Sequence, residues 1–75
     1  MRTFEIKKEP IELYKILKFE GLAASGGEAK SVIAEGLVTV NGEVETRKRK
    51  QIVAGDTVEF AGETIEVSLV TEPAS

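Results

Sequence analysis

The chain has 75 residues, with ten basic and thirteen acidic side chains that give a formal net charge of −3. It contains neither cysteine nor histidine, which excludes disulfides and cysteine-based zinc sites and removes the usual general base at neutral pH. No apolar run approaches the roughly 20 residues of a membrane span, and the first residues lack the apolar core of a signal peptide. We therefore expect one cytoplasmic domain over residues 1–75, with its core over about residues 10–68 and a frayed tail at 71–75.

The first third of the chain predicts a short strand followed by a helix. Residues 3–6 alternate between polar and apolar side chains, as an edge strand does. Pro10 suits the first position of a helix, because the N–H that proline lacks would be unpaired there in any case. The pattern predicts a helix over residues 11–20, which Gly21 terminates. The residues expected on its buried stripe are Leu13, Ile16, Leu17 and Phe19.

A second helix is predicted to begin near Ser25. Ser25 and Glu28 have the spacing of a capping box, in which each side chain accepts a hydrogen bond from the backbone near the other. The apolar residues that follow, Ala29 and Ile33 among them, fall on one helical face. Gly36 stands where the helix should stop, since glycine tolerates the left-handed conformation of that position.

The rest of the chain predicts short antiparallel strands. Residues 37–40 read as a strand, and Asn41-Gly42 favours a type I′ hairpin turn. The returning strand is expected at 43–46, and further strands at 57–60 and 64–69. Two N-terminal helices packed on a small twisted antiparallel sheet make an α+β fold. By alternation, the residues expected in the core of the sheet are Val38, Val40, Val44, Val58, Phe60, Ile65 and Val67.

Four consecutive basic residues at 47–50 form the densest charge cluster of the sequence. In an extended chain, Arg47 and Arg49 would point to one side and Lys48 and Lys50 to the other, and either pair could bridge successive phosphates. The other interpretation is a solvated strand edge whose lysines prevent pairing with another sheet. Taken alone, the residues leave both interpretations open.

The order of these elements resembles a known family. A helix, a short link, a Ser-x-x-Glu-Ala-Lys helix and then Gly-x-Val-x-Val-Asn-Gly at residues 36–42 are similar to the RNA-binding domain of ribosomal protein S four, also called the αL motif. The chain most resembles the small stand-alone YbcJ-like bacterial members. Two positions depart from the family pattern: Gly26 follows the serine of helix two, where arginine is common, and Glu12 precedes Leu13, where a basic residue is common.

The resemblance implies RNA binding by a small stand-alone domain, through phosphate and shape contacts with a structured RNA such as rRNA or tRNA, and it makes the ribosome a candidate partner. The residues expected to contact RNA are Lys30, Arg47, Lys48, Arg49 and Lys50, together with Lys15 and Lys18 on helix one. The alternative is a protein-interaction module that docks on a ribosomal or other protein. No residues stand in a catalytic or metal-binding spacing, so we expect a protein that is not an enzyme and has no cofactor, no metal and no small-molecule substrate. We also expect a monomer with no membrane partner.

Overall fold

The computed structural model describes residues 2–70, so the tail predicted at 71–75 lies outside the described residues. Strands and helices both contribute to the fold, and strands come first. In chain order the elements are β1 (Arg2–Ile6), β2 (Ile11–Glu12), α1 (Leu13–Phe19), α2 (Gly26–Ala34), β3 (Val38–Val40), β4 (Glu43–Val44), β5 (Gln51–Ile52), β6 (Thr57–Phe60) and β7 (Glu63–Leu69). Neither helix is long and apolar enough to cross a membrane.

Helix α2 begins and ends as its sequence predicts. Ser25 Oγ accepts a hydrogen bond of 3.2 Å from the Glu28 N–H, and the Glu28 carboxylate accepts one of 3.2 Å from the Ala24 N–H. At the other end, Gly36 has φ +78°. The N–H groups of Gly36 and Leu37 return to carbonyls of the last turn, at 3.0 and 3.2 Å, as in a Schellman motif.

Helix α1 begins two residues later than the sequence predicts. Ile11 and Glu12 form β2, which pairs antiparallel with β5 and places Ile11 opposite Ile52. Ile52 is fully buried, so this pairing adds apolar burial that a longer helix would forgo. The prediction that Pro10 opens the helix is therefore wrong, since Pro10 precedes a strand.

The main sheet is mixed, where an antiparallel sheet was predicted. Its order is β1-β7-β6-β3-β4, and β2 and β5 form a separate two-stranded sheet. The strand predicted at residues 3–6 does lie at an edge, but it runs parallel to β7. A parallel pair needs a long crossover connection, and here the whole chain between β1 and β7, both helices included, supplies it. The prediction of two N-terminal helices is matched only in part, because two strands precede α1: β1, which was predicted, and β2, which was not.

The helices pack on one face of this sheet and the core lies between them. Val40, Val58 and Ile65 form a row across three strands, since Val58 is opposite both of the others in the register. The buried apolar residues of the whole core are Ile6, Leu13, Ile16, Leu17, Ala23, Ala29, Ile33, Val38, Val40, Ile52, Val58, Ile65 and Val67.

Three residues predicted to be buried are not. The two-residue turn at Asn41-Gly42 sets Val44 opposite Thr39, and opposed residues share a face. That face points away from the core, so Val44 is 63% exposed. Phe60 is half-buried. Phe19 is 58% exposed, because it lies two residues after Leu17 and therefore roughly 200° around the helix axis from it.

Candidate nucleic-acid interface

The four basic residues at 47–50, which we call the basic loop, form a turn. The Lys50 N–H donates to the Arg47 carbonyl at 3.2 Å, and residues 48 and 49 are the turn residues. The chain is therefore not extended here, and the alternation of arginines and lysines that an extended chain would give does not occur. The chain must reverse here because β4 ends at Val44 and β5 has to pair with β2.

The backbone of the basic loop is fastened to the first turn of α1. The Leu13 N–H donates to the Lys50 carbonyl at 2.9 Å, and the Tyr14 N–H donates to the Lys48 carbonyl at 3.2 Å. The first N–H groups of a helix have no partner within the helix, and the Glu12 side chain does not cap them. The carbonyls of Lys48 and Lys50 take that role, which holds the basic loop beside the first turn of α1.

Arg47 is held by the acid two residues before it. Its Nε donates to Glu45 Oε2 at 2.9 Å and a terminal nitrogen donates to Oε1 at 3.1 Å. The side-chain hydrogen bonds from Arg47 are the main cause that lowers the pKa of Glu45 to about 2, and the bond from the Arg47 backbone N–H adds to them. The same contact raises the pKa of Arg47. The Arg47 side chain is nevertheless 71% exposed, so this ion pair is open to exchange with a competing anion.

Glu12 holds two further cations. Its carboxylate lies 3.3 Å from Lys15 Nζ and 3.5 Å from Arg49 Nε. Glu12, at the end of β2, thus links α1 to the basic loop by charge. This link adds to the backbone hydrogen bonds that Leu13 and Tyr14 donate to the loop. Lys48 and Lys50 form no ion pair with any residue between 2 and 70, although the charge of Lys50 helps to lower the pKa of Glu45.

Tyr14 connects the two helices on the same side of the molecule. Lys30 Nζ lies 4.6 Å from the centroid of the Tyr14 ring, a cation–π contact between α2 and α1. Gly26 faces the same ring, since a Cβ at Gly26 would lie 3.6 Å from a ring carbon of Tyr14. The backbone of Tyr14 meets Lys48, so this residue lies between Lys30 and the basic loop.

The structure therefore brings most of the predicted cations together. The basic loop, Lys30 and Lys15 surround the first turn of α1. Lys18 is in the last turn of α1 and lies apart from the loop, along a groove described below. Whether these side chains contact RNA stays a prediction. Within residues 2–70, no group of three or more acidic side chains is placed to hold a metal ion.

Sequence reasoning missed three residues that shape this surface: Glu12, Tyr14 and Glu45. The Glu12–Lys15 pair had a readable signal, since residues three apart share a helical face. Glu45 and Arg47 are two apart, which places both side chains on one side of an extended chain. Tyr14 carried no such signal, because its contact with Lys30 depends on how two helices pack.

This geometry, with two helices, a basic loop and a small sheet, belongs to a known class. The chain is a member of the S4 domain family, whose model matches residues 4–68. The match confirms the resemblance inferred from residues 36–42 and the helix before them. It identifies a family of RNA-binding domains, not of enzymes, which confirms the expectation that the chain is not an enzyme.

Particular relatives are similar over nearly the whole chain. YbcJ of Escherichia coli (strain K12) is 56% identical over 68 residues, which cover 89% of this chain and 97% of YbcJ. The solution structure of YbcJ, described as revealing an αL motif involved in RNA binding, has a TM-score of 0.70 over 91% of this chain and 87% of that chain, at 55% identity.

More distant relatives share the same domain. The "Probable ribosome maturation protein RlbA" of Bacillus subtilis (strain 168) is 39% identical over 57 residues, which cover 76% of this chain and 80% of RlbA. The 30S ribosomal protein S4e of Thermoplasma acidophilum has a TM-score of 0.63 at 29% identity, over 77% of this chain but 31% of that protein.

Proposed function

We propose that this protein binds structured RNA through phosphate contacts made by the basic loop and the cations around the first turn of α1. One observation carries the proposal: the backbone hydrogen bonds from Leu13 and Tyr14 hold the loop at a defined place beside both helices. Cations that are already positioned lose less side-chain and loop freedom when they bind. The family membership and the αL motif described for YbcJ support the same conclusion.

Phosphate contact explains how an acidic chain can bind a polyanion. The net charge of −3 is a sum over the whole surface, whereas the field at the loop is local and is screened within about 8–10 Å. Lys48 and Lys50 are engaged in no ion pair with residues 2–70, and the two arginines can present paired N–H groups to a phosphate. Shape then selects the RNA, because side chains cannot read the deep major groove of an A-form helix, and double-stranded RNA is recognised mostly by its shape and by contacts to its phosphates and 2′-hydroxyls.

We further propose that the RNA is ribosomal or transfer RNA and that the site of action is the ribosome or a precursor of it. The support is by analogy: RlbA carries a name that refers to ribosome maturation, and S4e is a protein of the small ribosomal subunit. The same analogy favours a cytoplasmic protein that works without a cofactor.

Titration of a hairpin RNA at several salt concentrations tests the proposal. The double variant Lys48→Gln, Lys50→Gln should bind more weakly, and the slope of log K against log salt should fall by about 0.7–0.9 for each phosphate contact that is lost. The double variant Lys48→Arg, Lys50→Arg is the matched control, because it keeps both charges and should keep the slope. Backbone carbonyls, not side chains, fasten this loop to α1, so both variants should fold.

The opposite result would favour the protein-interaction alternative. If the parent protein binds no hairpin RNA even at low salt, or binds it with a slope that the glutamine variant leaves unchanged, the loop does not contact phosphates. Its lysines would then serve to prevent a neighbouring strand edge from pairing with another sheet.

A further inference from the structure

A groove of about 540 Å³ opens between β1 and α1, outside the basic loop. The aromatic residues that line it are Phe4, Tyr14 and Phe19, and the rings of Phe4 and Phe19 stack on each other. Four lysines stand around these rings, Lys7 and Lys8 from the chain after β1 and Lys15 and Lys18 from α1. The volume lies in the range of about 300–1,000 Å³ that is usual for sites of small ligands.

The aromatic residues of the groove have an accessible ring surface. Phe19 stacks on Phe4 with the ring centroids 6.2 Å apart and the planes inclined by 22°. Phe4 is half-buried and anchors the pair to the core, whereas Phe19 is 58% exposed. A large apolar side chain so exposed beside a cluster of lysines is a feature that packing alone does not require.

The charge of the groove is positive on a protein that is acidic overall. Its four lysines face two acids, Glu5 and Glu12, and Glu12 is already engaged by Lys15 and Arg49. Lys7, Lys8 and Lys18 form no ion pair with residues 2–70. An anionic ligand with a flat apolar part would complement both the lysines and the rings.

The groove is also continuous with the surface proposed to bind RNA. Glu12 and Lys15 line the groove, and the same Glu12 binds Arg49 of the basic loop. Tyr14 lines the groove as well, and its ring makes the cation–π contact with Lys30. A strand that leaves a helical RNA at the basic loop would therefore meet cations without interruption along α1.

We infer that this groove holds an unpaired nucleotide of the bound RNA, with its base stacked on Phe19 and its flanking phosphates at the surrounding lysines. The inference rests on the proposed function and extends it from phosphate contact to single-stranded recognition. Unpaired bases are commonly held on aromatic side chains within positively charged grooves. The dense lysines favour an anionic ligand over an apolar peptide, and the exposed ring of Phe19 favours a nucleotide, which brings a planar base together with its phosphates.

Two RNAs that share one hairpin and differ by a short unpaired extension test the inference. At one salt concentration, the extension should raise the affinity of the parent protein at least about fivefold, since stacking of one base on an aromatic ring is worth that much or more. Phe19→Leu should lose this gain and keep the affinity for the plain hairpin, because leucine is apolar but has no ring. Leu37→Ala is the matched control: Leu37 is 55% exposed and does not line the groove, so the gain should stay.

NMR of the ring protons supplies a direct reading of the site. The Phe19 signals should move upfield on addition of the extended hairpin and stay in place with the plain hairpin. A gain that survives Phe19→Leu, or equal affinity of the parent for the two RNAs, would overturn the inference while leaving the proposed function intact. Phe19 signals that move with protein concentration alone would overturn it in favour of contact between copies. Failure of the plain hairpin to bind would remove the proposed function and this inference together.

Discussion

Replacing Glu12 by glutamine should strengthen RNA binding, although it removes two ion pairs. The Glu12 carboxylate lies within 3.5 Å of Arg49 Nε and 3.3 Å of Lys15 Nζ, so it competes with phosphate for both cations. Its side chain makes no capping hydrogen bond to α1, and exposed ion pairs contribute roughly 0.2–1 kcal/mol each. The fold should therefore tolerate the change, and the binding surface should gain one unit of positive charge.

The size of the gain follows from the distance. A phosphate oxygen that contacts Arg49 at a charge-assisted distance would lie about 6 Å from the Glu12 carboxylate. Repulsion at that separation is about 0.7 kcal/mol in water and about 2.8 kcal/mol at the effective dielectric constant of a protein surface. Salt screening favours the lower end, so the affinity should rise about three- to tenfold. The salt slope should also steepen by up to about 0.9 for each new phosphate contact.

The measurement is a titration of hairpin RNA at several salt concentrations with a control that changes net charge equally. Glu63→Gln serves that purpose, because Glu63 pairs with Arg2 at 3.3 Å, and Arg2 in turn donates to the carbonyl of Glu20 at the far end of α1. Its affinity should stay close to that of the parent. Equal gains in the two variants would show that overall charge, not the Glu12 contacts, governs binding. Unchanged or weaker binding by Glu12→Gln would refute the reasoning.

Three further outcomes are expected. The double variant Arg47→Ala, Arg49→Ala should lower both affinity and salt slope while leaving the protein folded, since the two exposed ion pairs that it removes contribute roughly 0.2–1 kcal/mol each; a slope equal to that of the parent would show that the arginines do not contact phosphates. The side-chain carboxyl of Glu45 should titrate in NMR with a pKa of about 2, so its contribution to stability is present above the ordinary glutamate range and is lost as pH falls through about 2; a midpoint near 4.5 would contradict the pairing with Arg47. Gly36→Val should lower the free energy of unfolding by about 1 kcal/mol or more, because a β-branched residue is strained at φ +78°; an unchanged melting temperature would rule this out.

Local chemistry explains the parts of the fold that could be predicted. The Ser25–Glu28 box, the glycine at the end of α2 and the Asn41-Gly42 turn each involve residues within a few positions of one another. Their conformations depend on caps and positive φ rather than on distant contacts. Helix α2 and the hairpin after it were therefore readable from sequence.

Long-range pairing explains the parts that could not be predicted. The parallel pairing of β1 with β7 joins residues more than sixty positions apart, and no local pattern encodes it. The pairing of Ile11 with Ile52 overrides a helical pattern that begins at Pro10. Val44 is an intermediate case, because the two-residue turn already implied its register with Thr39 and alternation alone misplaced it.

The candidate site shows the same division. The basic residues were visible as a run, but their arrangement depends on backbone bonds from α1 that turn the loop and fix its position. The acids that engage them, Glu12 and Glu45, stand at readable spacings from Lys15 and Arg47 in the sequence, but the contact of Glu12 with Arg49 depends on how the loop folds back on α1. None of the four aromatic residues is fully buried, where at least two were expected in the core, and that difference is what leaves Phe19 available as a stacking surface.

Together these contacts indicate what kind of ligand the surface would select. Two of its cations, Arg47 and Arg49, are already bound to carboxylates, so a single isolated phosphate gains little by displacing them. A ligand must bring several closely spaced phosphates to exchange both carboxylates at once, and a folded RNA backbone does so. Competition from the protein's own acids would thus weaken binding to isolated anions more than binding to structured RNA, and this discrimination would suit an acidic domain that has to find one folded RNA among many phosphates.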